Sequence, residues 1–152
     1  MRRRINTTGE VNQFLVDAQL TPENELLEDF DVLAIDAFSG DAIPVHLITR
    51  EALAVYRRHL KDDGVIAFHI SNRFLSLAPI VANLAAEQNM QAVIVSDMKP
   101  AAPATASEWV LVTRNKALLS HPLIAEAAVQ PPTIDGLGVW TDDSNNLFRI
   151  LK

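Results

Sequence analysis

The 152-residue chain contains no cysteine, which excludes disulfide bonds and thiolate metal sites. Its four histidines are scattered without a paired spacing, so a structural zinc site is not expected. Basic residues are few, with 13 Lys and Arg against 19 Asp and Glu, and the formal net charge is −6. This balance argues against a nucleic-acid-binding or anionic-membrane surface. No long apolar run suggests a signal peptide or membrane span, and we expect a cytoplasmic protein.

Glycine is also scarce, with five residues in the whole chain. The glycine-rich turn that normally opens a nucleotide-binding α/β domain, and lets the backbone approach a pyrophosphate, is missing. What the chain does contain is an ordinary globular composition, 49% hydrophobic and 21% charged. A length of 152 residues is enough for one domain with a real core and too short to expect two. We therefore expect residues 1–152 to form a single domain.

Apolar, strand-like segments alternate with helical ones along the chain. Strands are predicted at residues 11–16, 30–37, 65–70, 90–96 and 109–113, and helices from residue 21, from residue 49, over 77–88 and, broken by a proline, within 117–129. Thr49 is a good helix N-cap, whereas Asp62-Asp63-Gly64 predicts a turn with glycine in a left-handed conformation. The alternation predicts an α/β fold with a mostly parallel, Rossmann-like sheet. An antiparallel edge strand is expected near residues 108–113.

A carboxylate follows the most apolar of these strands. Residues 30–37 read as a strand buried on both faces, and Asp36 stands near its end. Ligands of open parallel sheets bind beyond the carboxyl ends of the strands, so Asp36 is a candidate catalytic carboxylate; the alternative is a cap for the turn that follows. His69 lies at the tip of the strand expected alongside, where a neutral histidine could hold a substrate or accept a proton. The alternative for His69 is a half-buried ring hydrogen-bonded to backbone.

Three stretches carry a resemblance to a known family. They are Val16-Asp17-Ala18, the segment from Asp36-Ala-Phe-Ser-Gly to Asp41-Ala-Ile-Pro44, and Trp140-Thr-Asp-Asp143 followed by Ser-Asn-Asn-Leu147. Together they resemble spermidine-synthase-like proteins, which are polyamine aminopropyltransferases built on the fold of S-adenosylmethionine-dependent methyltransferases. The likeness covers roughly residues 10–152 in register, and the middle stretch is its most specific part.

The resemblance implies roles for the acids. Asp36 would accept the proton of an amine nucleophile, and Asp41 would hold the second ammonium group of a diamine. Asp142 and Asp143 are either a further diamine-binding pair or a solvated turn. The partner implied is therefore a small-molecule amine, with no nucleic acid, no membrane contact by this chain and no metal.

The resemblance also implies a nucleoside co-substrate, decarboxylated S-adenosylmethionine or S-adenosylmethionine, contacted by Asp17, Ala18 and Ala37. The family's first two strands and glycine-rich loop are absent before residue 11, so the chain resembles the C-terminal portion of such a domain, truncated at its N-terminus. Where the usual synthases place a glutamine and then an acid, this chain has His69-Ile-Ser-Asn72.

Three functions follow as expectations. The first is aminopropyl transfer to an amine, and the second is methyl transfer to a small molecule by the same cofactor family. The third is a non-catalytic relative that keeps the fold for oligomerisation or regulation, as the missing glycine loop suggests. Loss of the first two strands would leave the strand at residues 30–37 as an apolar edge, which is an aggregation hazard. We therefore expect a homodimer, or a strand at residues 11–16 that moves in beside it.

Overall fold

The computed structural model describes residues 29–36, 44–72, 74–98 and 106–152. Within them the strands are β1 (Phe30–Ile35), β2 (Leu60–His69), β3 (Gln91–Asp97), β4 (Ser107–Thr113) and β5 (Ala128–Val129). The α-helices are α1 (Arg50–Arg58), α2 (Ala78–Glu87), α3 (Lys116–Leu119) and α4 (Pro122–Ala125), with 3₁₀ turns at Val45–Leu47 and Leu147–Ile150. None of the helices in these ranges has the length and apolar character needed to cross a membrane.

The described strands form one open mixed sheet in the order β1-β2-β4-β3-β5, which confirms the α/β class. Among the described strands only β1 and β2 pair in parallel; the β2–β4, β4–β3 and β3–β5 pairs are all antiparallel. The described pairs therefore do not confirm the prediction of a mostly parallel, Rossmann-like sheet. The antiparallel direction of β4 is confirmed, but its edge position is wrong, because β4 lies between β2 and β3 and bonds to both. As a result β1, β2 and β3 still run in one direction.

The two long helices begin and end where their sequences indicate. Thr49 caps α1, its side-chain oxygen accepting from the Ala52 amide at 3.3 Å. Leu53 and Tyr56, three residues apart on one face of α1, are both buried. Helix α2 has a proline in its first turn, which suits the unpaired amides there. Both helix predictions are confirmed.

Strand β2 starts earlier than predicted, at Leu60 rather than residue 65, and includes the predicted turn. The left-handed conformation expected of Gly64 is wrong, because the positive-φ residues of the described chain are Asn89 and Gly136. Glycine is required at position 64 because neighbouring atoms leave no room for a side chain. A Cβ on Gly64 would lie 2.6 Å from Leu60 Cγ and 2.9 Å from the Phe30 carbonyl oxygen, where the β1–β2 register shifts.

The hydrophobic core fills one face of the sheet. Ile66 and Phe68 of β2, and Ile70 just beyond it, belong to the same buried cluster as the inner sides of α1 and α2. The rings of Tyr56 and Phe68 meet with centroids 6.1 Å apart. Because successive strand side chains point to opposite faces, His69 projects from the face opposite to these helices.

The C-terminal segment packs back onto the start of α1. The predicted helical stretch breaks at its proline into two four-residue helices, α3 and α4. Beyond β5, Trp140 is buried in the core, and its carbonyl oxygen accepts from the Arg50 amide at 2.8 Å. The chain then runs beside the segment that leaves β2, with an isolated bridge between Leu75 and Leu151. The predicted strand at 11–16 and the helix from residue 21 lie outside the described residues.

Candidate functional site

The candidate site lies where β1 and β2 end and β4 begins. In the parallel pair, Ile35 is opposite Phe68, so Asp36, the next residue, comes beside His69. In the antiparallel pair, His69 is opposite Trp109, and Trp109 is in turn opposite Val95 of β3. One transverse row of residues therefore crosses four neighbouring strands at the carboxyl edge of β1 and β2.

Asp36 and His69 are joined by a short side-chain contact. The Oδ1 atom of Asp36 lies 2.6 Å from Nδ1 of His69, and the two side chains are 25% and 15% exposed. An ionised carboxylate only accepts hydrogen bonds, so Nδ1 is the donor and, in the neutral ring, Nε2 carries the lone pair. The hydrogen bond to backbone expected in one interpretation of His69 is not found at Nδ1, which pairs with the Asp36 carboxylate instead.

The second ring nitrogen of His69 is poised for a partner. Nε2 is inaccessible to solvent and has no hydrogen-bond partner among the residues that the structure describes. A buried polar atom without a partner is costly in a folded protein, and a catalytic role is one explanation for it. A histidine whose Nδ1 is fixed by a carboxylate can accept a proton or a hydrogen bond at Nε2.

An aromatic ring covers one face of the imidazole. The rings of His69 and Trp109 stack with centroids 4.7 Å apart and planes 22° from parallel. The sequence favours core or interface packing for both tryptophans. Trp140 is buried in the core, whereas Trp109 contributes to the site. Trp109 lies beside His69 only because β4 pairs with β2. No local sequence pattern indicates that pairing.

Asp142 is engaged by the start of α1. Its Oδ1 accepts from the Thr49 hydroxyl at 2.7 Å, and its amide donates to Oε2 of Glu51 at 3.1 Å. Reciprocal backbone bonds between Thr141 and Ser144 close a tight turn around Asp142 and its exposed neighbour Asp143. The geometry therefore gives Asp142 an internal partner at a helix N-terminus, where negative charge is favourable.

The proximity of Asp142 also affects a buried phenol. The hydroxyl of Tyr56 donates to the Leu47 carbonyl oxygen at 3.0 Å within the core. Burial raises the pKa of Tyr56 well above its usual value, and the negative charge of Asp142 raises it further. The 3₁₀ turn that precedes α1 is thus held to the helix by a neutral, buried hydrogen bond close to one carboxylate.

The remaining predicted site residues, Asp17, Ala18, Ala37 and Asp41, lie outside the described residues. Within the described ranges no cluster of three or more histidine, aspartate or glutamate side chains could hold a metal ion. The structure therefore brings Asp36, His69 and Trp109 together and sets Asp142 and Asp143 on a turn against α1. Comparisons of the chain with known protein families, with curated proteins and with solved structures found no match.

Proposed function

We propose that this chain is a spermidine-synthase-like domain that transfers an aminopropyl group from decarboxylated S-adenosylmethionine to a small amine. The observation that carries the proposal is the 2.6 Å contact between Asp36 and His69 together with the unpartnered Nε2 of His69. An amine attacks only when its nitrogen is deprotonated, so such a reaction needs a placed proton acceptor. Here the acceptor is His69, oriented by Asp36.

The reaction balances as a single displacement. The nitrogen lone pair forms a bond to the propyl carbon beside the sulfonium, and the carbon–sulfur bond breaks with its electrons passing to sulfur. Methylthioadenosine leaves as a neutral thioether, and the proton lost by the nitrogen passes to Nε2 of His69. The imidazolium that results is stabilised by the Asp36 carboxylate on its other nitrogen, the arrangement used by carboxylate–histidine pairs in acyl transfer.

The direction of the strands also supports the proposal. Strands β1 and β2 are parallel and connected through α1, and β3 runs the same way. Asp36 and His69 stand at the carboxyl ends of the two parallel neighbours, where ligands of open α/β sheets bind. Nε2 lacks a hydrogen-bond donor within the described part of the chain, and a substrate amine would bring one where its binding uncovers this buried nitrogen.

The first experiment is calorimetric titration of the purified chain with methylthioadenosine, the by-product of the transfer. Binding at micromolar strength is expected, followed by formation of methylthioadenosine from decarboxylated S-adenosylmethionine in the presence of amines. Failure to bind would overturn the proposal and favour a non-catalytic relative. Release of S-adenosylhomocysteine from S-adenosylmethionine would overturn it in favour of methyl transfer.

Single substitutions then test the proton acceptor. Both Asp36→Asn and His69→Gln are expected to lower turnover by about 10²–10⁴-fold, the usual contribution of a positioned acid or base. Binding of methylthioadenosine should persist in both variants, since neither residue is assigned to the nucleoside. The matched control is His121→Gln, because His121 is exposed and lies before α4. Turnover unchanged in Asp36→Asn and His69→Gln would refute the assignment.

A further inference from the structure

Two contacts of different kinds fix the imidazole of His69. The ring is attached to the chain through Cβ, and the bond from Nδ1 to Asp36 restrains one of its edges. The stack against Trp109, with planes 22° apart, restrains the plane of the ring. The two contacts together restrain where Nε2 lies.

Trp109 is held firmly enough to serve this purpose. The Ile70 amide donates to the carbonyl oxygen of Glu108 at 2.9 Å, and the Glu108 amide donates to the hydroxyl of Ser71 at 2.8 Å. Since hydrogen-bonded and non-hydrogen-bonded pairs alternate along an antiparallel ladder, the next pair, His69 and Trp109, is of the close, non-hydrogen-bonded kind. Cross-strand pairs of this kind bring side chains nearest to one another.

Glu108 is also tied from the other side. Its carboxylate accepts from the Ser96 hydroxyl at 3.2 Å, at the end of β3. The residue before the indole is thus bonded to both flanking strands, through Ser71 beyond β2 and through Ser96 in β3. The Ser71 hydroxyl occupies the place that the Ile70 carbonyl would take in a regular ladder, so it sets the start of β4.

We propose that Trp109 is a positioning residue that holds the ring plane of His69, and with it the direction of Nε2, while the Ser71 hydroxyl holds the start of β4. The catalytic consequence rests on the proposed function, in which Nε2 takes a proton. The structural claim stands on the stack and on the bonds around Glu108. Trp109 is not assigned a contact with substrate.

The structural claim is tested without any activity. Long-range nitrogen–proton NMR of the histidine rings is expected to show His69 as a single tautomer protonated at Nδ1, with ring protons shifted upfield by the indole. Trp109→Phe should keep both that tautomer and the nuclear Overhauser contacts between the ring and its neighbours. Trp109→Leu should keep the tautomer, which Asp36 sets, but weaken those contacts, because the ring plane is no longer fixed by the stack. A wild-type ring without an upfield shift, or unchanged contacts in Trp109→Leu, would overturn the claim.

Chemical modification gives a second measurement on the same variants. Diethyl pyrocarbonate acylates unprotonated imidazole nitrogen, and peptide mass spectrometry separates His69 from the other histidines. We expect about two- to tenfold faster acylation of His69 in Trp109→Leu, which is the rate change equivalent to the energy of an aromatic stack. Trp109→Phe should react at nearly the wild-type rate. The matched control is Leu111→Ala, two residues along β4 on the same face. An equal increase in the control would show general loosening of β4 and overturn the proposal.

A milder variant covers the case in which Trp109→Leu does not fold. Ser71→Ala keeps the indole but removes the acceptor of the Glu108 amide, and a smaller increase in acylation, about two- to threefold, is expected. If the acylation rate of His69 is unchanged in Ser71→Ala, the role of the Ser71 hydroxyl in holding the start of β4 is refuted.

Kinetics connect the claim to the reaction. Trp109→Leu is expected to lower kcat about two- to tenfold with little change in the KM of the amine, and Trp109→Phe should restore most of the rate. A rise in KM alone would instead indicate substrate contact and overturn the positioning role. Absence of methylthioadenosine binding in the wild type would defeat the proposed function only, since NMR and acylation still decide the positioning of His69.

Discussion

The buried phenol of Tyr56 predicts a specific loss of stability in alkaline solution. Burial raises its pKa, with Asp142 adding to the effect, whereas a tyrosine in the unfolded chain titrates near about 10. Above that pH the unfolded chain releases a proton that the folded protein retains, so deprotonation favours unfolding. The free energy of unfolding should therefore fall from about pH 10 upwards by as much as roughly 1.4 kcal/mol per pH unit.

The assay is direct because Tyr56 is the only tyrosine in the chain. Phenolate absorbance should appear together with the loss of circular dichroism and not before it. Tyr56→Phe, which loses the bond to Leu47, should cost about 1–2 kcal/mol at neutral pH and show a shallower alkaline decline. Lysines titrate in both proteins, so the difference between the two curves isolates the phenol. Phenolate formed near pH 10 in the folded protein, or identical slopes, would refute the reasoning.

Three further pairs of variants test the local structure by denaturant unfolding. Gly64→Ala should cost about 1–3 kcal/mol of stability, because its Cβ would lie 2.9 Å from a carbonyl oxygen of β1. The control is Gly138→Ala, whose Cβ would have nothing within 4 Å and which should change stability by less than about 1 kcal/mol. Equal costs would contradict the packing argument. Thr49→Val should cost about 1–2 kcal/mol through loss of the cap, and Thr49→Ser should retain most of it; a neutral valine variant would show that the cap adds nothing. Asp142→Ala should cost about 1 kcal/mol of stability, because the Asp142 carboxylate accepts from the Thr49 hydroxyl. The control is Asp143→Ala at the exposed neighbour, which should change stability by less than about 0.5 kcal/mol. A larger cost for Asp143→Ala than for Asp142→Ala would contradict the structural role of Asp142.

Local signals in the sequence were enough for the two long helices and for three of the strands, but not for the start of β2 or for β5. A threonine cap predicts the start of α1, and Leu53 and Tyr56, three residues apart, lie on its buried face. Apolar runs locate β1, β3 and β4 within one to two residues at most ends. These predictions succeed because capping, periodicity and apolar runs depend on residues close together in the chain.

Predictions that depend on distant residues were less successful. Gly64 follows two aspartates and reads as a turn, but its environment is set by the Phe30 carbonyl oxygen on another strand. The central place of β4 depends on pairing across the sheet, and the stack of Trp109 on His69 follows only from that pairing. The meeting of Asp36 and His69 was accessible from sequence, because consecutive parallel strands present their carboxyl ends at one edge.

The place of β4 has a consequence for how the chain is completed during synthesis. Strands β2 and β3 flank β4 and do not bond to each other, although both precede it in the sequence. A nascent chain that ends before residue 107 therefore holds two strands whose native neighbour does not yet exist. Synthesis of seven residues, Ser107–Thr113, then supplies the missing pairing partner for both. The centre of the native sheet can therefore form only after β4 has been synthesised, so the sheet does not grow outward strand by strand in chain order.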